Sequence, residues 1–254
     1  MEVIILGSGT TIPLGYRASP SLLLQIEGKS ILFDIGPGAL RQLTGAGVNH
    51  ERIGPIFVTH FHPDHTADLV HLLFATRNPS ILERRRPFTI TGPRGLKGFI
   101  AGLQTAYGEW LRLPPEIMKI EDLDTGMRGE RDYEDFKVSY CSTRHTPESL
   151  AYRVEDGRGK SMVYSGDTGF CDEIVELAGS ASLLILEASF PEGRDMEGHL
   201  TPLEAGRIAA LAGVDRLLLT HFYPECLAAD ITAQCRKSYG GELTLASDLL
   251  HVHV

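Results

Sequence analysis

Apolar residues follow two patterns along this chain. Val3-Ile4-Ile5-Leu6, Leu22-Leu23-Leu24, Ile56-Phe57-Val58, Leu183-Leu184-Ile185-Leu186 and Leu217-Leu218-Leu219 are unbroken runs, short enough for strands and polar at neither face. Residues 21–26 and 30–34 read as a hairpin across Glu27-Gly28-Lys29, and Phe136 to Ser142 alternates apolar and polar positions. Strands are also expected over 88–91, 150–154 and 162–166. The second pattern is helical. Leu96, Phe99, Ile100 and Leu103 share one face of a helix over 94–107, and further helices are expected over 39–46, 66–75, 172–178 and 202–212. The last begins with Thr201 and carries Glu204 three positions on, a capping box. Residues 108–135 are the least periodic and read as a strand or two in long loops. Strands and helices in alternation predict an α/β (α+β) fold, and two sheets between two helix layers, a four-layer αββα sandwich, suit the strand count better than one doubly wound sheet.

Several of these strands stop at a residue able to bind metal. After Ile56-Phe57-Val58 comes Thr59-His60-Phe61-His62-Pro63-Asp64-His65, three imidazoles and a carboxylate within six positions. In an extended segment His60 and His62 point the same way and can reach one ion, while the turn begun by Pro63 carries Asp64 and His65 elsewhere. Two ions follow from that spacing. Asp64 also suits a helix N-terminus. His145 follows the alternating strand, Asp167 lies in Ser165-Gly166-Asp167-Thr168-Gly169, Glu187 ends the run at Leu183, and His221 ends the run at Leu217. Glycines beside Asp167 let its carboxylate approach two cations at once. One ion is then expected on His60, His62 and His145, the other on Asp64, His65 and His221, with Asp167 shared and a hydroxide in the remaining position. His50, His71, His251 and His253 occupy no such position and read as structural or solvated. Histidine and carboxylate ligands without thiolate favour zinc, and manganese or iron suits the same set.

The His-x-His-x-Asp-His element resembles the signature of the metallo-β-lactamase superfamily. Met1 to Pro13 with Arg17 and Ser19, Phe33-Asp34-Ile35-Gly36, Gly92-Pro93-Arg94-Gly95-Leu96, Ser165-Gly166-Asp167-Thr168, Glu187-Ala188-Ser189-Phe190, Gly198-His199-Leu200-Thr201 and Thr220-His221-Phe222 narrow the resemblance to its ribonuclease Z-like branch, whose members trim tRNA 3′ ends. The resemblance spans almost the whole chain. It implies a metallo-β-lactamase-type sandwich and a phosphodiesterase in which a metal-bridging hydroxide attacks phosphorus. It further implies that His199 donates a proton to the leaving oxygen, that Glu187 orients His199, and that Asp64 helps hold the hydroxide. A homodimer is implied in the same way. The family commonly carries a long tRNA-gripping arm between the positions of His145 and Asp167, which here lie only 22 residues apart. Phe222-Tyr223-Pro224-Glu225 stands where the family often has small polar residues after its last histidine.

Composition changes this picture at three points. With 254 residues, 43% apolar, and no Pro/Ser/Gly linker, the chain reads as one domain over 1–254. A net charge of −9 argues against a broad polyanion-binding surface; Arg84-Arg85-Arg86 is the one dense basic run. Without the arm, the expected substrate is a small or flexible phosphodiester, RNA included, with tRNA 3′ processing proper or hydrolysis of carboxylic esters, lactones or thioesters as alternatives. Four scattered cysteines form no Cys-x-x-Cys pair, no run of 18 apolar residues exists, and no leader is recognisable, so no membrane partner and a cytoplasmic location are expected.

Overall fold

A strand with no polar face needs cover on both sides, and the first strand has it. In the computed structural model, which describes residues 1–254, Val3 and Ile5 of β1 (Glu2–Gly7) enter one apolar cluster, and Ile4 and Leu6 enter another. The same division runs through β2 (Ser21–Ile26), β3 (Lys29–Phe33), β4 (Ile53–Phe57) and β6 (Met118–Leu123), whereas β5 (Phe88–Pro93) gives Phe88 and Ile90 to the second cluster alone. The second half of the chain supplies β7 (Gly129–Asp132), β8 (Phe136–Ser142), β9 (Leu150–Asp156), β10 (Ser161–Tyr164), β11 (Leu183–Glu187), β12 (Arg216–Thr220), β13 (Glu242–Leu245) and β14 (His251–His253).

These strands form two seven-stranded sheets, in the orders β14-β1-β2-β3-β4-β5-β6 and β13-β12-β11-β10-β9-β8-β7. Each has three antiparallel ladders at one end and three parallel ones at the other. The larger apolar cluster joins the facing sheets through Phe33, Phe57, Tyr152 and Val154, and extends to Ile208 and Ala209 of the helix Pro202–Ala212. The smaller packs the other face of the first sheet on Leu69, Leu72 and Leu73 of Asp68–Thr76 and on Ile100 of Leu96–Tyr107. Helix, sheet, sheet, helix is the layer order, as the strand count predicts. The capping box at Thr201 and Glu204 forms as expected.

Four local expectations are corrected. Strand β4 stops at Phe57, so His60 and His62 stand in the loop beyond it rather than at its end. The next helix starts at Pro63, with His62 at the cap position and Asp64 inside the first turn; it breaks after Thr66 and resumes at Asp68. Both β13 and β14 are additional edge strands, as are the short helices Pro79–Leu82, Pro224–Leu227 and Ile231–Arg236 among the helical layers. The arginine run is engaged by its own fold: Arg84 makes a bidentate pair with Glu51 (2.5 and 2.7 Å), and buried Arg85 donates to the carbonyls of Glu51 and Ile53.

Tyr152 fastens the sheets near the histidine loop. Its fully buried ring lies against Phe33 and Phe57, and its hydroxyl donates to the Val58 carbonyl at 2.7 Å. Tyr152→Phe leaves that buried carbonyl without its donor and should lower stability by about 1–2 kcal/mol. Urea unfolding checks this; an unchanged midpoint would show that the bond contributes nothing to joining the sheets.

Candidate metal centre

The carboxyl ends of parallel strands from both sheets open onto one edge, and loops leaving them carry most of the polar groups described below, with His145 following the antiparallel β8. Asp34 follows β3, the segment from Thr59 to His65 follows β4, Asp167 follows β10, Glu187 ends β11 and His221 follows β12. Crevices beyond such strand ends are where open parallel sheets bind ligands. The loops must press closely together. A Cβ on Gly36 would lie 1.9 Å from the Asp64 carbonyl oxygen, and Gly166, with φ of 58°, lies where a Cβ would meet the Thr59 side chain at 2.7 Å.

All of the sequence-predicted ligands converge. Potential ligand atoms of His60, His62, His145 and Asp167 lie within 4.8 Å of one another, and so do those of Asp64, His65 and His221. Asp167 faces both groups. Its Oδ1 is 3.2 Å from His65 Nε2 and 3.3 Å from His221 Nε2, while Oδ2 is 3.7 Å from His145 Nε2 and 3.9 Å from His60 Nε2. Asp64 Oδ2 is 3.7 Å from His221 Nε2 and 3.9 Å from His65 Nε2. The buried Nε2 atoms of His60, His65 and His221 and the Oδ1 of Asp167 have no hydrogen-bond partner. Buried polar atoms are ordinarily satisfied, so four orphans aimed at one another fit cations as their common partner.

The outer nitrogens are fixed in turn. His65 Nδ1 meets Asp34 Oδ2 at 2.7 Å, His60 Nδ1 meets Thr59 Oγ1 at 3.0 Å, His145 Nδ1 meets the Gly198 carbonyl at 3.0 Å, and His221 Nδ1 meets Ser189 Oγ at 2.9 Å. Such contacts set which nitrogen faces inward. His62 is the exception in presenting Nδ1, 3.1 Å from His145 Nε2, and it is the exposed member. Burial pushes the His60 pKa well below its ordinary value. His65 goes the other way: burial opposes its charge, but Asp167 and Asp34 on either side hold its pKa well above the ordinary value. Asp167 is held well below the carboxylate range, against its burial, by His221, His65 and His60. The site is thus an electronegative pocket that stabilises positive charge within it.

Glu187 and His199 lie beside this cluster. Glu187, 1% exposed, accepts from the amides of Thr168 (2.8 Å) and Leu200 (3.1 Å), from Ser189, and from His199 Nδ1 (2.9 Å). It therefore ties the Asp167 loop to the His199 loop. Burial disfavours the imidazolium of His199, yet the Glu187 hydrogen bond together with the charges of Glu187 and Asp167 outweighs it and lifts the pKa to about 9. His50, His71, His251 and His253 lie away from both ligand groups. Sequence reasoning assigned no role to Asp34, Ser189 or Tyr164, although Tyr164 donates to Asp34 at 3.0 Å. The available signal was position: Asp34 follows an apolar strand as Asp167 does, and Ser189 stands two residues past Glu187.

Comparison with known proteins agrees with this geometry. A family model described as a beta-lactamase superfamily domain matches residues 29–222. A ribonuclease Z of Mycobacterium marinum is 30% identical over 277 aligned positions, covering 100% of this chain and 99% of that protein. Among solved structures, the short form of human tRNase Z superposes with a TM-score of 0.82 at 28% identity, covering 100% of this chain and 99% of that one. The metallo-beta-lactamase fold protein YhfI of Bacillus subtilis superposes with a TM-score of 0.85 at 26% identity, with 99% of each chain covered.

Asp34 gives a direct test of the outer contacts. Asp34→Asn replaces one acceptor oxygen by a donor among Thr59, His65 and Tyr164, and should weaken metal binding by about 10- to 100-fold. Competition against a chromophoric chelator reads the affinity; wild-type affinity in this variant would mean that His65 needs no carboxylate behind it.

Proposed function

This chain belongs to the beta-lactamase superfamily and, within it, to the ribonuclease Z family, a group of dinuclear metal-dependent phosphodiester hydrolases, and from that premise we propose how its residues divide the work. His60, His62 and His145 hold one divalent cation, Asp64, His65 and His221 hold the other, and Asp167 serves both. When bound, the cations would supply an activated water near neutral pH and positive charge that offsets the negative charge growing on the phosphoryl oxygens. Zinc suits these nitrogen and oxygen donors, and manganese or iron suits them as well.

The observation that carries the reading is the acid pair at the rim of the ligand cluster. Glu187, fixed by two backbone amides, keeps the proton of His199 Nδ1 in place, so that the other face of the imidazole can deliver a proton to a leaving oxygen. The hydrogen bond and charge of Glu187 favour the protonated imidazole of His199, which is the state a proton donor needs. Asp64 lies in the first turn after Pro63, where its carboxylate helps to hold the attacking water. The whole chain acts as one hydrolase domain over residues 1–254.

The substrate we favour is a small or flexible phosphodiester, RNA included. Only 22 residues separate His145 from Asp167, room for β9 and β10 and their turn, so a bulky folded RNA would have to be gripped elsewhere. Against that stands the name of the relatives: a ribonuclease Z matches this chain over its full length, which favours 3′ processing of tRNA as the second reading. No helix is long and apolar enough to cross a membrane. Exposed Phe74, Tyr107 and Trp110 along one groove support the homodimer that the family resemblance implies.

Metal-loaded protein should hydrolyse bis(p-nitrophenyl) phosphate, lose that activity to a chelator, and regain it with zinc or manganese. His199→Ala should lower the rate by about 10²- to 10⁴-fold with metal retained. Asp64→Ala and His65→Ala should lose both activity and metal. A parallel assay on precursor tRNA bearing a 3′ trailer separates the two readings: trailer removal at one position selects tRNA processing, turnover of the diester alone selects the small substrate, and inertness towards both would sink phosphodiester chemistry.

A further inference from the structure

One residue of the rim has no task in this scheme. Tyr223 follows His221 and Phe222 beyond the end of β12, and its backbone amide donates to the Ser189 carbonyl at 3.3 Å. Its half-buried ring is held from behind by Phe190, which stacks on it at 4.6 Å with an interplanar angle of 20° and is itself 6% exposed. Edge-on, the same ring meets His199 at 6.2 Å and His221 at 5.9 Å, both near-perpendicular. It thus flanks both the proton donor and the candidate ligand His221, whose rings stack on each other at 5.9 Å. Its hydroxyl takes part in none of the hydrogen bonds of the fold, and burial together with the carboxylates of Asp167, Asp64 and Glu187 acts on it. Half-buried phenols ordinarily find a partner, and an ordinary phenol keeps its proton at neutral pH.

We infer that the Tyr223 hydroxyl donates a hydrogen bond to a non-bridging oxygen of the scissile phosphodiester, on the side of the centre occupied by His199. The inference rests on the phosphodiester reading above. Three features carry it: a donor with no protein partner, a ring clamped by Phe190 so that little side-chain freedom is lost on binding, and a position touching both His199 and His221. The proton stays on the phenol throughout. Charge on the non-bridging oxygens opposite the cations changes as the reaction proceeds, and a fixed donor aimed there favours the transition state over the bound substrate. Tyr223 differs from His199 in one observable respect. His199 serves the leaving oxygen, so its contribution grows as the leaving group becomes poorer, whereas that of Tyr223 does not.

The test compares wild type, Tyr223→Phe and His199→Ala, each loaded with zinc, on bis(p-nitrophenyl) phosphate and on diphenyl phosphate. Tyr223→Phe keeps the ring and its stack on Phe190, so metal content and unfolding midpoint should match wild type. Its kcat should fall roughly 10- to 100-fold on both diesters with KM little changed, less than for a dedicated oxyanion-hole donor because the cations share the charge. The loss in His199→Ala should be greater on diphenyl phosphate than on the nitrophenyl ester. Wild-type kcat in Tyr223→Phe, or a loss that grows with the poorer leaving group, would overturn the assignment while leaving the phosphodiester reading in place. A loss of metal in Tyr223→Phe would overturn it too, by making the residue a support for His221. Inertness of wild type on both diesters would overturn the underlying reading and this inference with it.

Discussion

A carboxylate with no exposure to water must be surrounded by donors or abandon its charge, and Asp34 is such a group. It accepts from the Thr59 amide at 2.8 Å, from the Thr59 hydroxyl, from Tyr164 at 3.0 Å, and meets His65 at 2.7 Å. Those partners come from both sheets: Thr59 and His65 leave β4, and Tyr164 ends β10. The metal-binding loops therefore converge because one buried charge requires them to. Its left-handed backbone, with φ of 55°, turns the chain out of β3 so that the carboxylate points back between the sheets. A second carboxylate does the same on the other side. Glu187 gathers Thr168, Ser189, Leu200 and His199, and so fixes the far wall relative to Asp167.

What could be read from the sequence follows from where the information lies. Unbroken apolar runs gave most of the inner strands, because burial on both faces is a local property of each run. The candidate ligands beyond the strand ends were equally easy to single out, since histidine and aspartate after an apolar run have few structural uses, and the fold brings them together. Edge strands were not. Only Val252 of β14 is buried, and three residues carry no period, so their pairing with Glu2 to Ile4 depends on a strand 250 positions away. Asp34 was missed for a similar reason. A lone aspartate after a strand reads as a turn residue, and its partners lie 25, 31 and 130 positions along the chain. The surroundings of the arginine run were equally hidden, because charge density in sequence says nothing about Glu51, which engages Arg84 from 33 positions away.

The sign of charge at the site connects these points. Asp34, Asp64, Asp167 and Glu187 are all buried within one edge of the molecule, in a chain whose net charge is already −9. An anionic phosphodiester would be repelled by such a pocket on its own. The histidines cannot reverse that field, since burial drives His60 towards neutrality while His65 gains its proton only by compensating two carboxylates. Divalent cations can, because each adds more positive charge than a proton at the place where the carboxylates converge. The same groups that would exclude the substrate thus become the reason it is bound once metal is present. Arg84 and Arg85 are engaged elsewhere, so attraction for the anion has to be generated at the reacting centre itself, and substrate binding and catalysis then rest on the same few residues.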